Sequence, residues 1–255
     1  GALLTEPVTE DGDRGVLFMH NEGYSTMCGH GIIGLAMAGV ETGIITPRKL
    51  PSEEGVLTLH LDTPAGRVTA TSHIEGGRVT RASFLNVPSF VYAMDQRVEV
   101  PEVGSVRFDV AYGGAFYAFC DAEEVGVGLE PDDMRTLIEV GMRIKRAVME
   151  DLPIHHPLEE DLGFLYGTIF VGEPTDPVNH SRNVCIFADG EVDRSPTGTG
   201  VSARAALHFA RGELSPGQPF TVESILGTTF TGEVVEATSY GSFDAVVPRV
   251  SGTSY

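Results

Sequence analysis

Tryptophan is absent, lysine occurs only at Lys49 and Lys145, and cysteine only at Cys28, Cys120 and Cys185. Each shortage narrows the reading. With 17 Lys and Arg against 36 Asp and Glu, the formal charge is −19. That argues against nucleic acid and anionic membrane surfaces as partners, because both need clustered positive charge. A small anion can still bind where the local field is positive. Three cysteines without metal-type spacing argue against a disulfide framework or a zinc site. No apolar run approaches the roughly 20 residues that span a bilayer. The opening GALLTEPVTEDGD is acidic and lacks the basic start of a signal peptide, so a cytoplasmic address is the expectation.

What remains is a chain of 255 residues, 42% hydrophobic, long enough for one large domain or two lobes around a real core. Most of it reads as short strands between turn residues, such as GVLFMH (15–20), GVLTLHLDT (55–63), AFYAFC (115–120), NVCIFAD (183–189) and FDAVVPRV (243–250). Cys120 and Cys185 fall in such runs and read as buried strand cysteines. Three helical segments interrupt the strands: CGHGIIGLAMAGVETG, PDDMRTLIEVGMRIKRAVMEDL and TGTGVSARAALHFARG. The middle one places Met134, Leu137, Ile138, Ile144 and Val148 at helical spacing. The other two are apolar nearly all round, as suits a helix wrapped by sheet. Strands do not alternate regularly with helices, so a doubly wound parallel sheet is disfavoured. The expected class is α+β, in two similar lobes, residues 1–105 and 106–255, each built of strands around one glycine-started helix.

The two glycine turns carry the chemistry. Gly29-His-Gly31-Ile-Ile-Gly34 matches the dinucleotide fingerprint G-x-G-x-x-G, but the polar NEGYSTMC separates it from the last strand, and the fingerprint needs that strand directly before the glycines. Helix starts also hold carboxylates: their first backbone N–H groups are unpaired and carry partial positive charge. The donors would be Gly29 and His30 in the first turn, Gly198 and Thr199 in the second. Cys28 opens the first helix, where the N-terminal field should lower a thiol pKa from about 8.5 and make a base or nucleophile of it. The plainer alternative is a cysteine that merely caps a helix, although Ser, Thr, Asp and Asn are the usual caps. Thr197 holds the matching position; its hydroxyl bonds well but is too weak an acid to move protons unaided. Asp193 would pair with a substrate cation or simply form an Asx turn.

MCGHG and DRSP-x-GTG, together with HNEGYSTMCGHG (20–31), DVAYGGAFYAF (109–119), DLGFLYGTIF (161–170), NVCIFADGEVDRSPTGTG (183–200) and FTGEV (230–234), resemble the proline racemase family. The resemblance implies the fold of diaminopimelate epimerase: two lobes, each a mostly antiparallel sheet around a central helix, with the active site in the cleft between them. It also implies further strands before GALL and a continuation past SGTSY. Family racemases and 4-hydroxyproline epimerases carry a cysteine in both motifs. Here the second is Thr197, as in the family's trans-3-hydroxy-L-proline dehydratases. The implied reaction removes the Cα proton at Cys28 and expels the 3-hydroxyl as water. Gly29, His30, Gly198 and Thr199 would hold the carboxylate and Asp193 the ring ammonium. Neither lysine sits in a Schiff-base-like motif, so no cofactor is expected, and no metal. The implied partner is an imino acid; a homodimer is one permitted assembly.

Three rival readings stand beside this one. They are an epimerase or racemase tolerating Thr197, a carboxylate-binding module with an inert Cys28, and a redox sensor at Cys28. His20, Asn21 and Glu22 read as lining or bracing the cleft, with bracing preferred, and Phe116, Tyr117 and Phe119 as core. His155–His156, followed by proline, reads as an exposed turn and not a metal pair.

Overall fold

The computed structural model describes residues 1–45 and 55–254, so Lys49 lies outside the described residues. The first part comprises β1 (Ala2–Thr5), β2 (Arg14–Met19), β3 (Tyr24–Ser25), α1 (Gly29–Gly34), β4 (Gly55–Thr63), β5 (Gly66–Glu75) and β6 (Arg78–Leu85). The chain continues through β7 (Ser89–Val100), β8 (Gly104–Tyr112), β9 (Phe116–Asp121), α2 (Ala122–Val125), α3 (Met134–Asp151) and β10 (Leu165–Gly172). It ends with β11 (Ser181–Phe187), β12 (Glu191–Val192), α4 (Gly198–Ala210), β13 (Pro219–Glu223), β14 (Thr229–Tyr240) and β15 (Phe243–Gly252).

Local chemistry explains the hairpins. β5 alternates between buried and part-buried residues along its length, as a half-buried strand must. It turns into β6 at Gly76-Gly77, with φ of 58° and 75°. A two-residue turn that follows the strand twist needs positive φ at both positions, which glycine adopts without steric cost.

The described strands form one mixed sheet in the order β1-β2-β4-β5-β6-β15-β14-β13-β11-β10-β9-β8-β7, and β15 also pairs with β7. From β7 to β15 the sheet therefore closes into a ring. β9–β10 and β11–β13 are its parallel pairs and the rest are antiparallel. α4 runs inside that ring, with residues 198–207 all buried. This is why its sequence shows no polar face. Outside the ring, β15 pairs with β6 through Arg249–Gly252, and α1 packs against β6 and β15. One strand thus ties the surroundings of both glycine-started helices together.

Several elements differ from the sequence expectation. β7 was not anticipated: Asp95 has φ of 55°, and two register shifts against β8 break the alternation a strand normally shows. The first glycine-started helix changes after Gly34 to a π-helical stretch, Leu35–Gly39; there Ser72 Oγ donates to the Ala36 carbonyl at 2.6 Å. Met134 is exposed at the first residue of α3, whereas Leu137, Ile144 and Val148 are buried as expected. The His155–His156 turn is only half as expected. His155 is exposed, but His156 is buried against Phe90, Tyr112, Phe116 and Tyr240. Its Nδ1 accepts from the backbone N–H of Glu159 at 3.0 Å, so the imidazole pins the turn inward. Cys120 and Cys185 are buried strand residues.

Candidate active site

Both turns are shaped before any ligand arrives. In the first, Ser25 Oγ donates to the Met27 carbonyl at 2.8 Å and Thr26 Oγ1 to the Gly114 carbonyl. Cys28 enters α1 from an extended conformation without capping it through its side chain. In the second, Asp193 organises the loop: Oδ1 accepts from Ser195 N–H at 2.8 Å and Oδ2 from Thr197 Oγ1 at 3.0 Å. Thr197 N–H donates to Ser195 Oγ at 3.1 Å. These bonds hold Thr197 at φ 65°, ψ 90°, a conformation that costs a residue with a Cβ about 1–3 kcal/mol unless its surroundings fix it. Thr197 does not cap α4 through its side chain either. The first-turn N–H groups of both helices are thus left to a ligand.

The helices meet head to head. A methyl group added at Gly29 would stand 2.6 Å from the Gly198 Cα, and one at Gly198 would stand 2.8 Å from the Gly29 Cα. Only glycine permits two backbones this close. Two positive helix ends consequently share one cavity of about 740 Å³, lined by all the residues singled out in the sequence: Cys28, Gly29, His30, Asp193, Thr197, Gly198 and Thr199.

His30 bridges the two turns. Its Nε2 lies 3.3 Å from Cys28 Sγ, and its Nδ1 lies 3.2 Å from Ser195 Oγ and 3.4 Å from Asp193 Oδ2. Burial alone would lower the His30 pKa, but the Cys28 sulfur and the Asp193 carboxylate outweigh it and raise the imidazole to about 11. Burial would likewise raise Asp193; the His30 ring and the Ser195 N–H overcome that and hold the carboxyl below its usual range. In an NMR titration, His30 is expected to stay protonated through neutral pH and to change only near about 11. Cys28→Ala should bring that midpoint down. A wild-type midpoint near the ordinary value of about 6.5 would refute the pairing.

Other cavity residues were not foreseen as site residues. Ser195 couples His30 to the Thr197 backbone. Tyr117, read as core, is buried and also reaches the site, its hydroxyl 2.7 Å from Thr199 Oγ1. Tyr166, Cys185 and Phe187 line the same wall. Burial pushes the Cys185 thiol well above its usual pKa, which marks it as neutral packing beside Thr197. The bracing expected of 20–22 is present: His20 packs edge-on to Tyr166, Asn21 Nδ2 donates to the Asp189 carbonyl at 3.1 Å, and Glu22 lies 3.8 Å from Lys145. Cys185 and Phe187 lie on β11, the long strand before DRSPTGTG, whereas Tyr117 and Tyr166 come from β9 and β10 and carry no such local signal.

Among the described residues, no group of three or more His, Cys, Asp and Glu is arranged to hold a metal ion. None of the described helices is long and apolar enough to cross a membrane.

The chain is similar to a trans-3-hydroxy-L-proline dehydratase of Colwellia psychrerythraea, 45% identical over 255 residues, which is 100% of this chain and 70% of that protein. A proline racemase of Clostridioides difficile is 40% identical, over 100% of this chain and 75% of its own. Among solved structures, a hydroxyproline epimerase from Agrobacterium vitis with bound trans-4-hydroxy-L-proline superposes with a TM-score of 0.91. It is 31% identical, over 99% of this chain and 72% of the epimerase. The proline racemase family matches residues 1–255 without a break, and the chain belongs to that family.

Proposed function

We propose that the protein is a hydro-lyase that dehydrates trans-3-hydroxy-L-proline to a pyrroline-2-carboxylate. The observation that carries this reading is the asymmetry of the paired helix starts. Cys28 faces the cavity from one side. At the matching place on the other, Thr197 has its hydroxyl engaged by Asp193 at 3.0 Å. A racemase needs an acid and a base on opposite faces of Cα; a dehydratase needs a base on one face only. The named dehydratase and racemase relatives cover the same full length of the chain, so the reading rests on this residue.

The steps follow from the geometry. The substrate carboxylate lies across the N–H groups of Gly29, His30, Gly198 and Thr199, where charge that develops on proton loss is stabilised. Asp193 holds the ring ammonium. Cys28, as thiolate, takes the Cα proton. The C–H electron pair becomes the Cα=Cβ bond, and the C3–O bond breaks. In trans-3-hydroxy-L-proline the hydroxyl shares a ring face with the Cα hydrogen, so hydroxide departs on the Cys28 side. His30, raised to about 11 and 3.3 Å from Cys28 Sγ, stands there as a proton donor, and water leaves.

The two-lobed, diaminopimelate epimerase-like arrangement is part of the same proposal, with lobes 1–105 and 106–255 and with β7 of the first span reaching across to close the ring around α4. What supports it is that α1 lies against β6 and β15 while α4 lies inside the ring, with the cavity between them. A cytoplasmic address and a homodimer belong to the proposal as well.

Proton NMR in D₂O, with separate samples of trans-3-hydroxy-L-proline, trans-4-hydroxy-L-proline and L-proline, tests the function. The expected result is loss of the first into a pyrroline carboxylate with no inversion of the other two. Inversion of the 4-hydroxy compound would overturn the reading and assign a second base.

A further inference from the structure

A chain of side-chain hydrogen bonds runs through the interior of the ring and ends on the catalytic turn. At its outer end, exposed Glu213 meets His208 Nδ1 at 2.6 Å. His208 Nε2 lies 3.1 Å from Arg204 Nη2. Arg204 Nη1 donates to Asn183 Oδ1 at 3.0 Å and to Ser181 Oγ at 2.6 Å. Asn183 Nδ2 donates to the Pro196 carbonyl at 3.1 Å. Pro196 immediately precedes Thr197, and its carbonyl is the only polar group its backbone possesses.

The direction of every link is fixed by the guanidinium, which donates and never accepts. His208 Nε2 must therefore accept, leaving the proton on Nδ1 for Glu213. Asn183 Oδ1 must also accept, which turns its NH₂ toward Pro196. Burial comes first among the causes that hold His208 below its usual pKa, and the Arg204 charge adds to it; the neutral tautomer persists at pH 7.

Arg204 is 5% exposed and Asn183 is 0% exposed. No carboxylate pairs directly with Arg204 among the described residues; its bonds run to neutral acceptors. A buried, unpaired guanidinium is expensive, and an apolar side chain would fill the ring without that cost. What the guanidinium achieves here is to orient one amide, and among the described residues that amide is the one side-chain bond on Pro196. Asp193 and Ser195 grip the loop at residues 195 and 197; Asn183 supplies the grip between them. A Thr197 at positive φ needs such over-determined surroundings.

We infer that Asn183 is a positioning residue for the Thr197 turn, and that Arg204 acts on the turn through it. The consequence for catalysis rests on the reading that this turn holds the substrate carboxylate; the mechanical claim does not. Asn183→Asp keeps the acceptor for Arg204 and gives that cation a carboxylate, while the donor to Pro196 is replaced by an oxygen that faces the carbonyl and repels it. Hydrogen exchange followed by mass spectrometry is expected to show amides in 195–200 exchanging about tenfold faster, with those in 27–34 unchanged. Turnover should fall by roughly 20-fold or more, in line with the cost of a displacement below 1 Å, and the rate of Cys28 alkylation by iodoacetamide should stay as in wild type. Unchanged exchange in 195–200 would overturn the inference, as would equal acceleration in both segments, which marks general loosening.

His208→Phe preserves a ring between His180 and Phe220 but frees Arg204 from its outer anchor. It too should speed exchange in 195–200, and it should add nothing on top of Asn183→Asp. Additive effects would show that Arg204 does not act through Asn183. A wild type that does not dehydrate the substrate would remove the functional reading alone, because exchange reads the turn directly.

Discussion

Cys28→Ser is expected to cut turnover of trans-3-hydroxy-L-proline by about a thousandfold or more, the upper part of the range for removing a general base. A serine hydroxyl at this place meets the same helix start and the same His30, but it is far too weak an acid to be ionised at neutral pH. The steric change is small. Cys28 makes no capping bond with its side chain, so the fold should lose little, and a thermal melt within a few degrees of wild type is expected. Substrate affinity should persist, because the N–H groups and Asp193 are untouched. The combination of retained binding and lost turnover separates a catalytic thiol from the structural one required by a carboxylate-binding module. Residual turnover above about a tenth of wild type would exceed what a missing general base allows and would reassign proton removal. The His30 titration checks the same pair independently, since serine removes the sulfur that lies 3.3 Å from the imidazole Nε2.

How far the sequence reaches is clearest in the contrast between α4 and β7. α4 was legible because residues 198–207 are all buried: a helix enclosed by strands must be apolar all round, and VSARAALHFA nearly is. The single charged residue in that run, Arg204, is buried with the rest. Its partners Ser181 and Asn183 come from β11, some twenty residues earlier, and no local pattern encodes that meeting. β7 was illegible because two bulges cancel the period of 2 on which strand reading depends. Without β7 the closure of the ring onto β15 could not be foreseen.

The site divides in the same way. Cys28, His30, Asp193 and Thr197 lie within short motifs whose chemistry follows from helix ends. Tyr117, Tyr166 and Cys185 reach the cavity only through sheet register. Asp193 shows the limit of local reading: its Asx-type bond to Ser195 is encoded by adjacency, while its approach to His30, 163 positions away, comes from the tertiary fold.

Gly29→Ala carries the second large effect, and its cause is the meeting of two backbones. The added Cβ would lie 2.6 Å from the Gly198 Cα, 2.9 Å from its carbonyl carbon and 3.1 Å from Phe84 Cζ. The first two belong to main chain held inside the ring and cannot swing aside as a side chain would. The helix starts must part, at a cost of about 1–3 kcal/mol for overpacking. Parting them also pulls the four N–H donors off a common point, and a displacement near 1 Å is worth about a hundredfold in rate. Turnover should fall by roughly that factor, together with a rise in KM, unlike the kcat-only loss expected for Cys28→Ser. Gly198→Ala opposes the same contact from the other side, its Cβ 2.8 Å from the Gly29 Cα. The two substitutions should therefore be strongly non-additive, since helices already parted by one have room for the other. Gly34→Ala is the control: it lies at the end of α1 with nothing within 4 Å of its added Cβ. It should leave activity alone and raise stability by up to about 1 kcal/mol through helix propensity. If Gly29→Ala behaved like Gly34→Ala in a melt and in an activity assay, the close approach of the two helix starts would not be what assembles the site.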